Sequence, residues 1–283
     1  MKYKNTEVKI SIGLPVYNGA KTIEKTINSL LAQTFREFEL IISDNASEDE
    51  TNRICKKFLL KDSRIKYIRQ PNNIGGIPNF EFVMKKATGR YFKWIGADDW
   101  ISPDFLEVNL QALQSNPNYV ASTSPNCFLG EENNFKKHIN FNLVGTRKER
   151  FVMFFQNAFI SHGTFYSLIR TEIIKNYEQF YSSSFAGDWG VHLFLLSKGE
   201  INRTKKGLAV FGFGISTTKD SWKKMRQKPI EIFIPLYYFS KYTLCIIKNL
   251  NYYEWVYVFV SLLKLNFKAM KSSYIQSIRN LVT

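Results

Sequence analysis

Residues 87–99 read Ala-Thr-Gly-Arg-Tyr-Phe-Lys-Trp-Ile-Gly-Ala-Asp-Asp: a glycine turn, a run over 91–95 that is apolar but for Lys93, then two acids. The run has the length of a strand, and its flanking glycines predict a strand buried in a sheet. Asp98 and Asp99 then stand at its carboxyl end, where open α/β sheets bind ligands. Adjacent carboxylates repel one another, so such a pair suits the holding of a cation. Mg2+ or Mn2+ on a diphosphate matches oxygen ligands of this kind. The competing reading is a solvated helix start ahead of Ser102-Pro103, where acids are also favoured.

Upstream of this stretch, Val8, Ile10, Ile12 and Leu14 alternate with polar or small residues, as a strand with one apolar face does. Ile23, Ile27, Leu30 and Leu31 follow at helical spacing. Residues 38–43 predict a central strand, Ser47-Glu-Asp-Glu50 has the form of a capping box opening a helix, and 64–69 predict a third strand. A helix through Ile77, Phe80, Val83 and Met84 completes βαβαβαβ, the order of a parallel, doubly wound sheet. Downstream, the pattern predicts a helix from Pro103 to about 114, a strand at 119–123 and an inserted loop or hairpin at 130–146. Helices at 150–158 and 189–197 and strands at 164–169 and 208–213 follow.

Three other places carry chemical character. Asp44-Asn45 ends the second strand and suits a hydrogen bond to a base or ribose, or an Asx-turn before Ser47. Pro15-Val16-Tyr17-Asn-Gly reads as a loop at the same sheet edge. Asp188-Trp189 opens a helix, where a carboxylate is either an N-cap or a general base near an acceptor hydroxyl. His162, in Ser-His-Gly, is a candidate acceptor-side residue. His138, His162 and His192 are far apart, the three cysteines form no CxxC pair, and neither GxxxxGK[ST] nor GxGxxG occurs. Zinc, P-loop and dinucleotide-dehydrogenase readings are therefore disfavoured.

The order and spacing of Ile12-Gly-Leu-Pro-Val-Tyr-Asn-Gly, Leu40-Ile-Ile-Ser-Asp-Asn-Ala-Ser, Asn72-Asn-Ile-Gly and the 87–99 stretch resemble the family 2 inverting glycosyltransferases of the GT-A fold, bacterial surface-polysaccharide type. The resemblance covers roughly residues 8–215. It implies an α/β fold with a Rossmann-like, mostly parallel central sheet flanked by helices. It also implies transfer of a hexosyl or N-acetylhexosaminyl group from a UDP-sugar to a hydroxyl of a glycan or lipid-linked acceptor. Pro15, Val16 and Tyr17 would line the base pocket, Asp44 would bond the uracil, and Asp98 would contact the ribose. Asp99, in a DXD-like motif, would coordinate Mn2+ or Mg2+, and Asp188 takes the place of the catalytic base, with Trp189 and His162 on the acceptor side. Two positions depart from the pattern: Gly187 stands where relatives often have Glu, and Gly96 where many have Asp. A nucleotidyltransferase would want a Gly-rich basic loop after the first strand. A sugar-nucleotide-binding protein without transferase activity is the other alternative.

The chain has 283 residues, enough for one large domain with an appendage, and 39 Lys+Arg against 24 Asp+Glu. The surplus is uneven: residues 200–283 hold 14 bases and four acids. A catalytic domain over 1–215 and a basic, aromatic helical extension over 216–283 are expected. In the extension, Lys223, Lys224, Arg226 and Lys228 adjoin Ile232, Phe233, Tyr237 and Tyr238. Such interleaving suits an anionic membrane surface contacted through 222–283, or else a cap on the catalytic domain or a homodimer interface. Nucleic acid is not expected, since no recognised helix motif appears. The N-terminus places charges where a signal peptide needs apolar residues, and Lys and Glu cut the apolar runs short of a membrane span. The expected location is cytoplasmic, peripheral on the inner membrane.

Overall fold

The computed structural model describes residues 9–178, 187–212, 229–232, 234, 236–248 and 250–282. Strands β1 (Ile10–Val16), β2 (Phe38–Asp44), β3 (Ile65–Arg69) and β4 (Tyr91–Trp94) pair in parallel in the order β3-β2-β1-β4. Helices α1 (Ile23–Leu31), α2 (Thr51–Leu59) and α3 (Gly76–Lys86) are the crossovers. This half follows the alternation read from the sequence, with one difference of consequence. Pro15 and Val16 belong to β1 instead of a loop. β4 accompanies β1 only as far as Gly13, so the proline interrupts no ladder on that side, and β1 runs on along β2 to Val16 opposite Asp44.

The expected capping box at Ser47 does not form. α2 begins at Thr51, and Ser47 is used elsewhere: its N–H donates to Asp44 Oδ1 and its Oγ accepts from Asn18 N–H. A capping box does occur at Thr146–Glu149, opening α5 (Arg147–Asn157), because both reciprocal bonds are made there.

Beyond β4 the sheet changes direction. A second β-unit lies between the halves: β5 (Trp100–Ile101), β7 (Asn126–Phe128) and β10 (Ala209–Phe211) form a three-stranded sheet in the order β5-β10-β7. After α4 (Phe105–Ser115) come β6 (Tyr119–Thr123) and, later, β8 (Leu168–Arg170), which is antiparallel to both β4 and β6. The strand expected at 164–169 is thus shorter, and His162–Phe165 forms the single-turn helix α6. α7 (Thr171–Ile174) and α8 (Gly187–Lys198) lead to β9 (Glu200–Arg203), which extends the main sheet beside β6.

β9 is invisible to hydropathy because one of its inward residues is charged. Arg203 is 5% exposed and donates to the carbonyls of Ser124 at 2.7 Å and Phe141 at 3.0 Å, and to Asn126 Oδ1 at 2.8 Å. Burial without a carboxylate partner pulls its pKa down to about 10. These bonds fasten the insertion around residue 141 to the sheet.

The C-terminal segment does not stand apart from the catalytic half. On α9 (Tyr237–Ile247) and α10 (Tyr252–Val282), Phe239, Tyr242, Val258, Leu262 and Leu265 are buried in the same core as Phe154, Trp189 and Leu193. The expected boundary at 215/216 and the basic cluster at 222–228 lie outside the described residues. Phe239 is central here: its ring lies 5.6 Å from Trp189, 6.2 Å from Phe155 and 6.4 Å from Phe154. Phe239→Ala should therefore remove about 3–5 kcal/mol of stability. Urea unfolding followed by intrinsic fluorescence measures it, and an unchanged midpoint would mean that the tail helices do not share the core.

Candidate active site

The acid pair lies where the two sheets meet. Asp99 is 5% exposed, and each of its oxygens accepts one backbone N–H: Oδ2 from Gly96 at 3.0 Å and Oδ1 from Gly212 at 3.0 Å. Gly96 follows β4 and Gly212 follows β10, so the bonds come from different sheets. The turn between them is held from outside by Thr26 of α1, whose hydroxyl donates to the carbonyls of Ala97 and Asp99 at 3.0 and 2.7 Å. Both glycines are sterically required. A Cβ at 96 would lie 2.7 Å from Asp99 Oδ2, and one at 212 would overlap the Asp98 carboxylate.

Burial, then the neighbouring Asp98 charge, pushes Asp99 up to about 7, against the opposing pull of the two amides and Lys93. Lys93 is itself fully buried in β4. Its ammonium donates to the Tyr166 carbonyl and sits 4.5 Å over the Phe105 ring. Burial draws it down to about 7, and the attraction of Asp99 opposes that shift.

At the β1/β2 end, Asp44 is completely buried. Ser47 N–H donates to Oδ1 at 2.8 Å, while Tyr67 Oη and Arg69 Nη1 donate to Oδ2 at 2.6 and 2.8 Å. In this conformation Asp44 organises the corner from a fully buried position. Pro15 and Val16 are buried in β1; Tyr17 and the Arg69 side chain, each 39% exposed, are the groups there that face solvent. Asn45 fastens the next loop, accepting from Ile74 N–H and donating to Asn73.

Asp188, in the first turn of α8, is partly exposed, and burial of its carboxyl pushes it up to about 6 against the Trp189 backbone N–H. Trp189, expected on the acceptor side, is instead 6% exposed and faces the core, with Phe159 and Phe239 at its edges. His162 does reach the site. Its ring packs on Phe211 at 4.8 Å, Tyr166 at 5.3 Å and Phe128 at 6.2 Å, and burial lowers its pKa while the Asp98 charge opposes.

Tyr166 ties these groups together, and no sequence signal marked it. Burial and then the charges of Asp99, Asp188 and Asp98 hold its phenol well above the ordinary range, so it stays a hydrogen-bond donor among three carboxylates. Its ring lies 5.3 Å from Phe211, the residue before Gly212. His162 and Phe211 meet at Tyr166, just ahead of β8, and that meeting is a tertiary event.

The acid pair fits a hard divalent cation. Each Asp99 oxygen has spent one acceptor site on an amide and keeps another, and the raised pKa reports buried negative charge that lacks enough compensation. Among the described residues no group of three His, Cys, Asp or Glu could hold a metal by itself. Ligand or water oxygens would complete the shell, the usual state of Mg2+ beside a phosphate.

Residues 11–178 match the model of the family described as Glycosyl transferase family 2. Among curated proteins, the chain is 28% identical over 179 residues to the GalNAc(5)-diNAcBac-PP-undecaprenol beta-1,3-glucosyltransferase of Campylobacter jejuni, covering 62% of this chain and 57% of that protein. It is 33% identical over 100 residues to Glycosyltransferase GlyA of Streptococcus pneumoniae, covering 35% of this chain and 14% of that one. The chain thus spans less than two thirds of either relative. Among solved structures, S. aureus TarS 1-349 in complex with UDP-GlcNAc superposes with a TM-score of 0.60 at 17% identity, over 91% of this chain and 81% of that one. At this identity the likeness is one of fold: a mixed α/β sheet flanked by helices, the GT-A architecture. Mannosyltransferase PcManGT from Pyrobaculum calidifontis, in complex with GDP-Man and Mn2+, gives a TM-score of 0.55 at 12% identity, over 98% of this chain and 81% of that one.

Gly212 provides a test of the site as drawn. Gly212→Ala should displace Asp98 and weaken UDP binding about tenfold or more, while the fold persists. Calorimetric titration with UDP measures this, and wild-type affinity in the variant would remove Gly212 from the site.

Proposed function

Because the chain belongs to glycosyl transferase family 2, we propose that it transfers a hexosyl or N-acetylhexosaminyl group from a UDP-sugar to a hydroxyl of a glycan or lipid-linked acceptor, with inversion. The observation that carries this reading is the acid pair at the carboxyl end of β4, with Asp99 held by the Gly96 and Gly212 amides where the two sheets meet. The neighbours support the donor class, since TarS holds UDP-GlcNAc and PcManGT holds GDP-Man with Mn2+. The name of the Campylobacter relative supports an undecaprenol-linked acceptor; a role in surface-polysaccharide assembly is part of the same proposal.

The donor lies at the carboxyl ends of β1, β2 and β4. Tyr17 stacks on the base, and uracil reaches Asp44 once Arg69 swings aside. Asp98 contacts the ribose, and Asp99 holds Mn2+ or Mg2+, which when bound supplies positive charge to the departing diphosphate. Asp188 accepts the proton of the acceptor hydroxyl as its oxygen attacks the anomeric carbon. The new glycosidic C–O bond forms as the C–O bond to the diphosphate breaks, and UDP leaves with that electron pair. Tyr166 and His162 line the space between the two halves, where the phenol can donate to a sugar oxygen.

A base at about 6 must lose its proton before it can act, so transfer should fall about tenfold per pH unit below that value and level off above it. Asp188→Asn should abolish that dependence and reduce turnover by about a hundredfold or more, with UDP affinity unchanged. A free-UDP assay across candidate UDP-sugars, run from pH 5 to 8, reads both, and an active Asp188→Asn enzyme defeats the assignment. A protein that binds UDP-sugars and never releases UDP would be a binder instead. Asp99→Ala should erase the difference between UDP titrations with and without Mn2+; a persisting difference would place the metal elsewhere.

A further inference from the structure

Helix α10 has two apolar faces, and the protein body covers one of them. Val258, Leu262, Leu265 and Ala269 are at most 2% exposed. On the opposite face Tyr253, Val256, Tyr257, Val260, Leu263 and Phe267 recur at three- and four-residue steps and are 36% to 77% exposed. At the helical rise this stripe is about 20 Å long. Exposed Lys264, Lys268 and Lys271 border its C-terminal half, and Glu254 is the single acid in the helix sequence.

The stripe does not end at α10. Lys268 Nζ lies 5.0 Å over the Phe159 ring, and Phe159 and Ile160 are themselves 38% and 46% exposed. Phe159 in turn meets the edge of Trp189 at 5.3 Å, and Trp189 follows Asp188 in the chain. Phe159 and Ile160 therefore add exposed apolar surface beside the C-terminal half of α10.

We infer that this face seats the protein on an anionic lipid bilayer, with α10 lying in the plane of the headgroups and Phe159 and Ile160 at the same level. Three observations favour lipid over a second copy of the chain. The lysines border apolar residues that would enter the acyl boundary, the arrangement of an interfacial helix. A second copy seated on this face would bring those lysines to an interface whose helix sequence offers one acid, Glu254. Lys148 Nζ, from α5, lies 5.5 Å over the Tyr257 ring and adds a further base beside the stripe. The inference does not depend on the transfer chemistry.

The test is co-sedimentation of the full chain with phosphatidylcholine vesicles made with and without phosphatidylglycerol. The wild type should pellet with the anionic vesicles and release as salt rises. A Tyr257→Ser, Val260→Ser, Leu263→Ser, Phe267→Ser variant should partition about tenfold or more weakly. Lys264→Gln, Lys268→Gln, Lys271→Gln together should have a comparable effect on anionic vesicles only. UDP affinity should be unchanged in both, which separates this inference from the reading of the catalytic site. A wild type that stays in the supernatant overturns the inference, as do variants that pellet like the wild type. So does a dimer in size-exclusion chromatography that the serine variant dissolves, which would assign the face to a second copy. Should the serine variant fail to fold, the lysine variant and the salt series decide, and insensitivity to both counts against lipid.

Discussion

The carboxylate of Asp99 accepts one amide from the end of each of two sheets, and the layout of the site follows from that grip. Two neutral donors do not offset the removal of a charge from water, so the acid rises to about 7 and remains receptive to a cation. The same grip accounts for Gly96, where many members of the family carry Asp. With Asp99 turned inward onto the Gly96 amide there is no room for a Cβ at 96. Lys93 adds buried positive charge from within the strand.

Asp188, the proposed base, stands on a different support. α8 carries Asp188 at its start and presses Trp189 into a cluster of rings drawn from α5 and α9. One turn further on, His192 is fully buried with neither ring nitrogen hydrogen-bonded, and burial followed by the repulsion of His162 lowers it to about 3. A permanently neutral imidazole serves there as an aromatic filler against Phe154 and Phe165. The tail helices therefore belong to the framework of the active site.

Much of the first hundred residues was legible because local rules and the fold agree there. Apolar alternation, helical stripes and acids at strand ends all point to one parallel sheet. The misreadings come from competing interactions. Ser47 looked like a cap but is taken by Asn18 and Asp44, and Pro15 looked like a loop because hydropathy cannot show that β4 has already ended. β9 hides behind a buried arginine. Asp98, Asp99 and Asp188 could be singled out from spacing and resemblance. Tyr166, Lys93 and Gly212 could not, because their importance arises from β8 and β10 returning to the sheet junction. Trp189 was legible as an aromatic beside the base, but the direction of its ring is set by Phe239, fifty residues away in the chain.

The bond from Gly212 to Asp99 also bears on how the chain assembles. It joins residues 113 apart, whereas β1 with β2 and β2 with β3 pair across one helix each, and β4 reaches β1 before residue 100. Distant contacts are made late, since the loop that separates them must be closed first. During synthesis the nucleotide-facing half can take shape while residues 200–212 are still to be added. Until β10 arrives, Asp99 lacks one of its two amides and Asp98 lacks the wall that confines it. The donor pocket can thus form before the acid pair is set, and the last strand of the small sheet completes the site.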